Sequence, residues 1–212
     1  MRATSQSEPR LTQAERTEIS DQRMFEATVQ LIVEHGPAAT SLKDVGVQAG
    51  YSRGLASHRF GNKDNLFSFT LRKVGEIWLR QLKQATSGHT GLAAVEKALD
   101  QHYRFCADAP DYVRTFYTLW FESVNSDSEL RDAIRHIHQR RHQDVVQWIL
   151  NDPTINESVK SRADDIAGQF GASVSGIVYY WLVNPEDLEQ TKTLHDGLKH
   201  TMTQLLTENH HE

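Results

Sequence analysis

Residues 40–63 read TSLKDVGVQAGYSRGLASHRFGNK, and this stretch decides the fold of the N-terminal part of the chain. Two short segments of apolar periodicity lie on either side of Gly50, which favours a tight turn. Ser41 precedes the first segment and has an acid three residues further on, which predicts a helix N-cap. Ser52 is the expected cap of the second segment, which ends near Phe60. Two short helices joined by such a turn are typical of a helix-turn-helix.

Helical periodicity continues on both sides of this stretch. An apolar stripe predicts a first helix that starts at Thr12 or Ser20, runs to His35 and is closed by Gly36-Pro37. A long helix is predicted over 63–85. No alternating β-branched run indicates a strand, so the predicted fold class is all-α. The further helices are predicted at 92–107, 111–125, 128–150, 160–182 and 186–207, with a break at Ser126-Asp127 between the second and the third of these.

Charge is unevenly distributed along the 212 residues, whose formal net charge is −5. Residues 1–85 carry 12 Lys and Arg against 9 Asp and Glu, whereas 86–212 carry 11 against 19. The positive balance therefore coincides with the helix-turn-helix, where a phosphate backbone could be met, and an acidic body follows it. The single Cys106 allows no internal disulfide and no paired-cysteine metal site.

Fourteen residues in and around the helix-turn-helix follow one family pattern in order and without a gap. They are Gly36, Thr40, Ser41, Asp44, Val45, Ala49, Gly50, Ser52, Gly54, Ser57, His58, Phe60, Lys63 and Leu66. In these positions the chain resembles the TetR family of bacterial regulators. Three positions depart from the pattern: Gly46 replaces the usual Ala, Tyr51 a small apolar residue and Ala56 a larger one. Gly46 would let the two short helices approach closely.

The resemblance implies a DNA-binding surface on the two short helices and at the start of the next one. Arg53 would pair with guanine, and Leu55 would touch a thymine methyl group. Most of the other residues would contact phosphates, which set affinity and register but do not specify sequence. The predicted DNA-binding residues are Thr40, Ser41, Lys43, Arg53, Gly54, Leu55, Ser57, His58, Arg59 and Lys63.

The same resemblance implies that successive parts of the chain have different functions. A flexible arm over 1–19 would precede a three-helix DNA-binding domain over 20–66, and a helical effector-binding and dimerisation domain would occupy 67–212. The last two helices would pair with their twins in a homodimer. Such a dimer would read a palindromic operator in double-stranded DNA as a repressor, and a small-molecule effector would release it.

Aromatic residues in the helical body are the candidate effector contacts, because apolar ligands commonly bind between helices. Phe116 and Trp120 lie one turn apart on one predicted helix, and Val113 and Tyr117 form the adjoining row on the same helix. One of these two rows would pack the core, and the other could line a pocket. The predicted effector-binding residues are Phe105, Phe116, Trp120, Phe121, Trp148, Phe170 and Ile177. The sequence does not select the chemical class of the effector.

An alternative hypothesis makes the helical body a metal-binding module, a ligand-binding module or an enzyme that uses His136, His138 and His142. A catalytic zinc would need a third ligand and an open position, and the neighbouring Arg140 and Arg141, expected to be exposed, would oppose a cation. Phosphate-loop and nucleophile-elbow motifs are absent from the sequence, so no enzyme activity, cofactor or metal is predicted. Without an apolar leader or span, a cytoplasmic location is expected.

Overall fold

The computed structural model describes residues 11–124 and 129–207, and within these ranges every regular element is a helix, which confirms the all-α prediction. The helices are α1 (Gln13–Ala39), α2 (Leu42–Gln48), α3 (Leu55–Phe60), α4 (Lys63–Thr86), α5 (Gly91–Asp108), α6 (Pro110–Ser123), α7 (Glu129–Leu150), α8 (Glu157–Lys160), α9 (Ala163–Val183) and α10 (Leu188–Thr207). The predicted break at 126–127 and residues 1–10 of the predicted arm lie outside the described residues.

The first helix begins at the earlier of its two predicted starts. Thr12 is its N-cap, and a capping box joins the Thr12 hydroxyl to the backbone N–H of Glu15 and the Glu15 carboxylate to the Thr12 backbone N–H. The flexible arm predicted over 1–19 is therefore wrong over 13–19, because this box fixes a helical start there. Gly36 has φ 78° inside α1, so the regular helix stops at the predicted Gly36-Pro37 break before a last short turn.

The helix-turn-helix forms as predicted, with one change of cap. The Ser41 hydroxyl accepts from the backbone N–H of Asp44 at the start of α2, and Gly50 takes φ 78° in the turn. Ser52, however, does not cap α3 with its side chain. Its carbonyl accepts from the Leu55 N–H instead, and Gly54 occupies the N-cap position without a side-chain bond. The second helix thus begins two residues later than predicted.

A continuous hydrophobic core joins the N-terminal helices to the body. Met24, Phe25 and Leu66 are fully buried in the same cluster as Leu119 of α6 and Val178 of α9. The long helix α4 belongs to both parts, because it starts beside α3 and packs against α5, α6 and α7. A second cluster fills the space between α5, α7, α9 and α10. The division into 20–66 and 67–212 therefore crosses a shared core and stays a prediction.

The helices of the body follow the predicted spans closely, with one addition. Sequence periodicity missed the one-turn helix α8, whose N-cap is Asn156. The Asn156 side chain accepts from the Val159 N–H. A single turn is too short to show a period. Within the described residues, α9 is the one helix whose length and hydropathy would suit a membrane span. Of the 18-residue apolar stretch that meets this criterion, 39% is buried inside the protein. Its packing against α7 and α10 accounts for the apolar composition of its buried side.

Candidate nucleic-acid interface and interior cavity

One face of the helix-turn-helix is polar, basic and exposed. Arg53, Ser57 and His58 are exposed on and just before α3, and Lys43 is exposed on α2. Among the described residues, the Arg53 guanidinium has no hydrogen bond or ion pair. Gly54 lies beside Arg53, and a side chain there would meet no atom within 4 Å, so the backbone is open to an approaching molecule. This arrangement matches the surface that the sequence predicts for DNA.

The opposite face of α3 fixes that helix to the rest of the domain. Ala56 is fully buried and Phe60 nearly so, and the Phe60 ring lies 5.1 Å from the Phe69 ring of α4. Leu55 is half-buried, so only part of its side chain could reach a base. The small Ala56, which departs from the family pattern, therefore fills a core position without removing the exposed face.

Two of the predicted contacts at the start of α2 are used inside the protein. Thr40 is 2% exposed, its hydroxyl donates to the Gly36 carbonyl at 2.9 Å, and its N–H donates to the Pro37 carbonyl. The hydroxyl and the N–H of Thr40 thus close the last turn of α1, and its DNA contact stays a prediction. Ser41 is half-buried, and its hydroxyl donates to the Asp44 carboxylate at 2.5 Å.

Arg59 and Lys63 also have partners within the chain. The Arg59 guanidinium donates two hydrogen bonds to the carboxylate of Asp21 in α1, at 2.8 and 2.7 Å. This pairing raises the pKa of Arg59. The Lys63 ammonium donates to the Ala38 carbonyl at 3.0 Å. The sequence analysis missed both contacts, since residues 38 and 25 positions apart give no local signal.

An interior cavity of about 680 Å³, partly open to solvent, lies in the body between α4, α5, α6, α7 and α9. Three of the predicted effector residues line it: Trp120, Trp148 and Phe170. Its wall on α9 is made of small residues, including Gly168, Gly171 and Ser175. The volume is in the range of pockets that enclose drug-sized ligands.

Four of the predicted effector residues lie elsewhere. Phe105, Phe116 and Ile177 are core residues at 6%, 2% and 6% exposure and are absent from the cavity wall. Phe121 is 53% exposed on the outer side of α6. The apolar stripe placed all four on helices of the body, but the rotation of each helix against its neighbours decides which row meets the cavity.

Polar side chains on the cavity wall were missed as effector candidates. His102, His138 and Arg141 line it, and the Arg141 guanidinium carbon lies 5.5 Å from the Trp78 ring centroid and 5.3 Å from that of Phe116. The expectation that Arg141 is exposed is wrong, since it is half-buried between these rings. The run of basic residues on α7 was expected to form a solvent-exposed face. No local sequence signal distinguishes Arg141 from Arg140.

The three histidines of the alternative hypothesis are not brought together. His138 and His142 line the interior cavity, whereas His136 lines a different cavity between α4 and α7. The His142 ring nitrogen lies 2.8 Å from the Asp164 carboxylate, so this side chain already has a hydrogen-bond partner. Within 11–124 and 129–207, no group of three or more metal-binding side chains is found.

One face of α9 has no partner within the chain. Tyr179, Tyr180 and Val183 are 60%, 60% and 72% exposed, which is unusual for such large apolar side chains. At Gly168, Gly171 and Gly176 of the same helix, and at Gly197 of α10, an added side chain would meet no atom within 4 Å. The apolar stripe of α10 is used inside the chain instead, since Leu198 and Met202 are buried in the second core cluster.

Comparison with known proteins gives the same classification as the motif. The family model described as "Bacterial regulatory proteins, tetR family" matches residues 25–68, which cover the helix-turn-helix and the start of α4. The HTH-type transcriptional regulator BetI of Burkholderia thailandensis is 30% identical over 130 residues, which are 58% of this chain and 64% of that protein. The chain thus covers slightly less than two thirds of this relative. The HTH-type transcriptional repressor Rv3405c of Mycobacterium tuberculosis is 34% identical over 86 residues, 41% of this chain and 44% of that one.

Solved structures share the whole architecture. A transcriptional regulator from Rhodococcus sp. Rha1 superposes with a TM-score of 0.76 at 21% identity, covering 88% of this chain and 96% of its own. A transcriptional regulator from Saccharomonospora viridis, solved with choline, has a TM-score of 0.72 at 16% identity and covers 86% and 97%. Residues 25–68 thus match the TetR family of bacterial regulatory proteins, which confirms the resemblance read from residues 36–66, and the solved structures share the fold of the chain.

Proposed function

We propose that this protein is a transcriptional regulator that binds a palindromic DNA operator as a homodimer and is released by a small-molecule effector. The observation that carries the proposal is the exposed face of Arg53, Ser57 and His58 on a helix anchored from behind by Ala56 and Phe60. Only the first turns of such a helix need to enter the major groove, where the Arg53 fork would pair with guanine O6 and N7. Lys43 would add a phosphate contact.

The unpartnered face of α9 supports a homodimer through the last two helices. Glycines at 168, 171, 176 and 197 are not required by contacts inside the chain, but they would let a second copy approach closely. Tyr179 and Tyr180 would be buried by that approach. A two-fold dimer would present two recognition helices to two half-sites, which suits a palindromic operator.

Helix α4 offers a direct mechanical link between the cavity and the DNA-binding face. It begins at Lys63, next to the recognition helix α3, and its residues Trp78 and Leu82 line the cavity. At 1.5 Å per residue, Lys63 and Trp78 are about 22 Å apart along one rigid helix. Helix α6 gives a second link, since its Trp120 lines the cavity while its Tyr112 hydroxyl donates to Glu26 of α1 at 3.1 Å.

A small-molecule effector is proposed because the cavity is lined by α4 and α6, which also pack against the helices of the DNA-binding part. Neighbouring structures were solved with triclosan and with choline, so proteins of this architecture hold small molecules. Ligand binding would favour one shape of the body and change the spacing of the two recognition helices. Repression is proposed as the mode of action, and a cytoplasmic location follows from contact with the genome. No catalytic activity is proposed.

The proposal is tested by selecting genomic fragments with the purified full-length protein and titrating the recovered DNA at two salt concentrations. We expect a short palindrome whose binding falls steeply with salt, because each phosphate contact releases a counterion. Failure of a folded, dimeric protein to enrich any sequence would overturn DNA recognition. Recovery of a single half-site by a monomer would overturn the dimeric mechanism.

A further inference from the structure

The interior cavity carries one cationic side chain with no acidic partner. Arg141 of α7 lines the cavity, and its Nε is buried without a hydrogen-bond partner among the described residues. Asp164 is the one acidic residue in the cavity wall, but its carboxylate is paired with His142 and its side chain is 87% exposed. A half-buried guanidinium whose Nε is buried without a partner loses hydration that no anion in the wall replaces, so Arg141 is a candidate for a ligand contact.

Further polar atoms near Arg141 are also without partners. The Trp78 indole N–H and the His138 Nε2 belong to cavity-lining side chains and are buried with no hydrogen bond among the described residues. Arg141 also acts on the buried Tyr117 behind the wall, since its charge opposes the rise in the Tyr117 pKa that burial causes. Burial and the same charge lower the pKa of His138 to about 4, so this ring is neutral near pH 7.

The chemistry of these groups favours one kind of ligand head group. The Arg141 and Trp78 side chains can only donate hydrogen bonds, so a ligand that bonds to them must supply acceptors. A carboxylate fits a guanidinium fork with two parallel bonds. A quaternary ammonium is disfavoured, because the Arg141 charge would repel it and Arg141 already lies over the faces of Trp78 and Phe116.

We infer that the effector of this regulator is an organic anion, a carboxylate on an aromatic or aliphatic body, whose head group pairs with Arg141. The body would lie against Trp120, Trp148 and Phe170, which line the rest of the wall. The cavity volume of about 680 Å³ admits a body larger than a simple acetate. The inference rests on the proposed function and gives its effector a chemical class.

The inference is tested with two probe sets in which only the head group changes. One set is indole-3-acetate, tryptophol and tryptamine, and the other is decanoate, 1-decanol and decylamine. Titration calorimetry measures the affinity of every probe. For the decyl set, which has no chromophore of its own, quenching of tryptophan fluorescence is a second readout, because Trp78, Trp120 and Trp148 line the cavity. We expect the carboxylate of at least one set to bind the wild-type protein about ten-fold or more tightly than its alcohol and its amine.

Variants at position 141 then assign the preference to the guanidinium. Arg141→Gln should reduce carboxylate affinity to that of the alcohol, and Arg141→Lys should retain part of the preference, because a point charge remains without the fork. Arg140→Gln, at the exposed neighbouring position, is the matched control and should change nothing. Circular dichroism checks that each variant is folded. The preference for carboxylates over alcohols and amines is measured on the wild-type protein, so that part of the test does not depend on the folding of any variant.

Three results would overturn the inference: no carboxylate binding by the wild-type protein, equal or tighter binding of the amines, or an unchanged carboxylate preference in folded Arg141→Gln. Operator binding is measured in the same samples without probe. If the operator is bound but carboxylates are not preferred, the effector class is wrong and the proposed function stands. If no operator is bound while carboxylates bind through Arg141, the cavity chemistry stands and the proposed function fails.

Discussion

Asp21 and Arg59 join the first helix to the recognition helix through two parallel hydrogen bonds, from Nε to Oδ1 at 2.8 Å and from Nη2 to Oδ2 at 2.7 Å. The Asp21 side chain is only 15% exposed and the Arg59 side chain 45% exposed, so water screens the pair incompletely. A bidentate pair holds both side chains in one plane. Arg59 therefore orients α3 against α1, although the family resemblance implies a DNA contact for it.

The first prediction separates these two roles of Arg59. Asp21→Asn and Arg59→Gln should each lower the free energy of unfolding by up to about 1 kcal/mol, and the double variant should lose little more than either one. Urea denaturation measures this coupling. The slope of operator affinity against salt concentration should be the same in Arg59→Gln as in the wild type. A slope smaller by about one released counterion would instead show that Arg59 contacts a phosphate.

Arg53 should behave in the opposite way. Arg53→Ala should cost operator affinity about 1–3 kcal/mol and relax sequence preference at one position, because a guanidinium fork reads guanine. The urea midpoint and the oligomeric state should not change, as Arg53 is exposed and has no partner among the described residues. Arg114→Ala, exposed on α6, is the matched loss of charge away from α3. Wild-type affinity and specificity in Arg53→Ala would remove this residue from the interface.

Two glycines of the helix-turn-helix should respond differently to a methyl group. A Cβ at Gly46 would lie 2.8 Å from the Ser52 backbone oxygen, and a backbone atom cannot move without shifting the turn. Gly46→Ala should therefore destabilise the fold by about 1–3 kcal/mol in urea denaturation. Gly54 has open space around its Cβ position, so Gly54→Ala should change stability by less than about 1 kcal/mol while weakening DNA binding. Equal stability of the two variants would contradict this contrast.

The buried pair of His102 and His195 should make the body sensitive to acid. Their ring nitrogens lie 2.8 Å apart, and the Nδ1 of His195 lies 2.7 Å from the Thr191 carbonyl, so His195 donates there and His102 donates to His195. Burial lowers the pKa of both rings. In the unfolded chain each histidine gains a proton below about pH 6.5, whereas the folded pair stays neutral. Stability is thus full above that pH and is lost as the pH falls.

The decline should reach up to about 1.4 kcal/mol per pH unit for each histidine, measured by urea denaturation between pH 7.5 and 5.5. His102→Gln, which keeps a donor for His195 but removes one titrating ring, should flatten it. His200→Gln on the exposed side of α10 is the control. A decline of the same steepness in His102→Gln and the wild type would show that other groups cause it.

The proposed dimer face gives a prediction about the molecular mass of the protein in solution. Gly176→Glu should convert the protein from two chains to one in light scattering, because the new charge fits the isolated chain but would be buried in the dimer. Operator affinity should fall with it. Gln147→Glu on the exposed side of α7 adds the same charge elsewhere and should stay dimeric. A dimeric Gly176→Glu protein would exclude this part of α9 from the interface.

Local signals in the sequence predicted the elements well, because caps and turns act over a few residues. The structure has helix ends at the positions that these signals predict. They are Ser41, with an acidic residue three positions later, the Gly36-Pro37 pair and Gly50. One local error was Ser52, where a backbone carbonyl took the role expected of the hydroxyl. The capping box at Thr12 was present in the sequence, but the polar composition before Ser20 favoured an arm.

The site could be predicted only where it lies on one local motif. The exposed Arg53 face follows from the helix-turn-helix, whereas the partner of Arg59 lies 38 residues away and the partner of Thr40 is the preceding turn. The cavity required the rotation of each helix against its neighbours, which no single-helix pattern contains. For this reason Trp120 was predicted on the wall correctly, Phe121 incorrectly, and Arg141 not at all.

The shared core has a consequence for how such a regulator could be recombined. Phe25 of α1 packs against Tyr112 of α6 with ring centroids 5.5 Å apart, and both belong to one hydrophobic cluster that crosses the boundary near residue 66. A gene fusion that exchanged the N-terminal segment for that of a distant relative would bring mismatched side chains to this contact. Transfer of DNA specificity between relatives is therefore better achieved by grafting the exposed residues of α3 than by swapping whole segments.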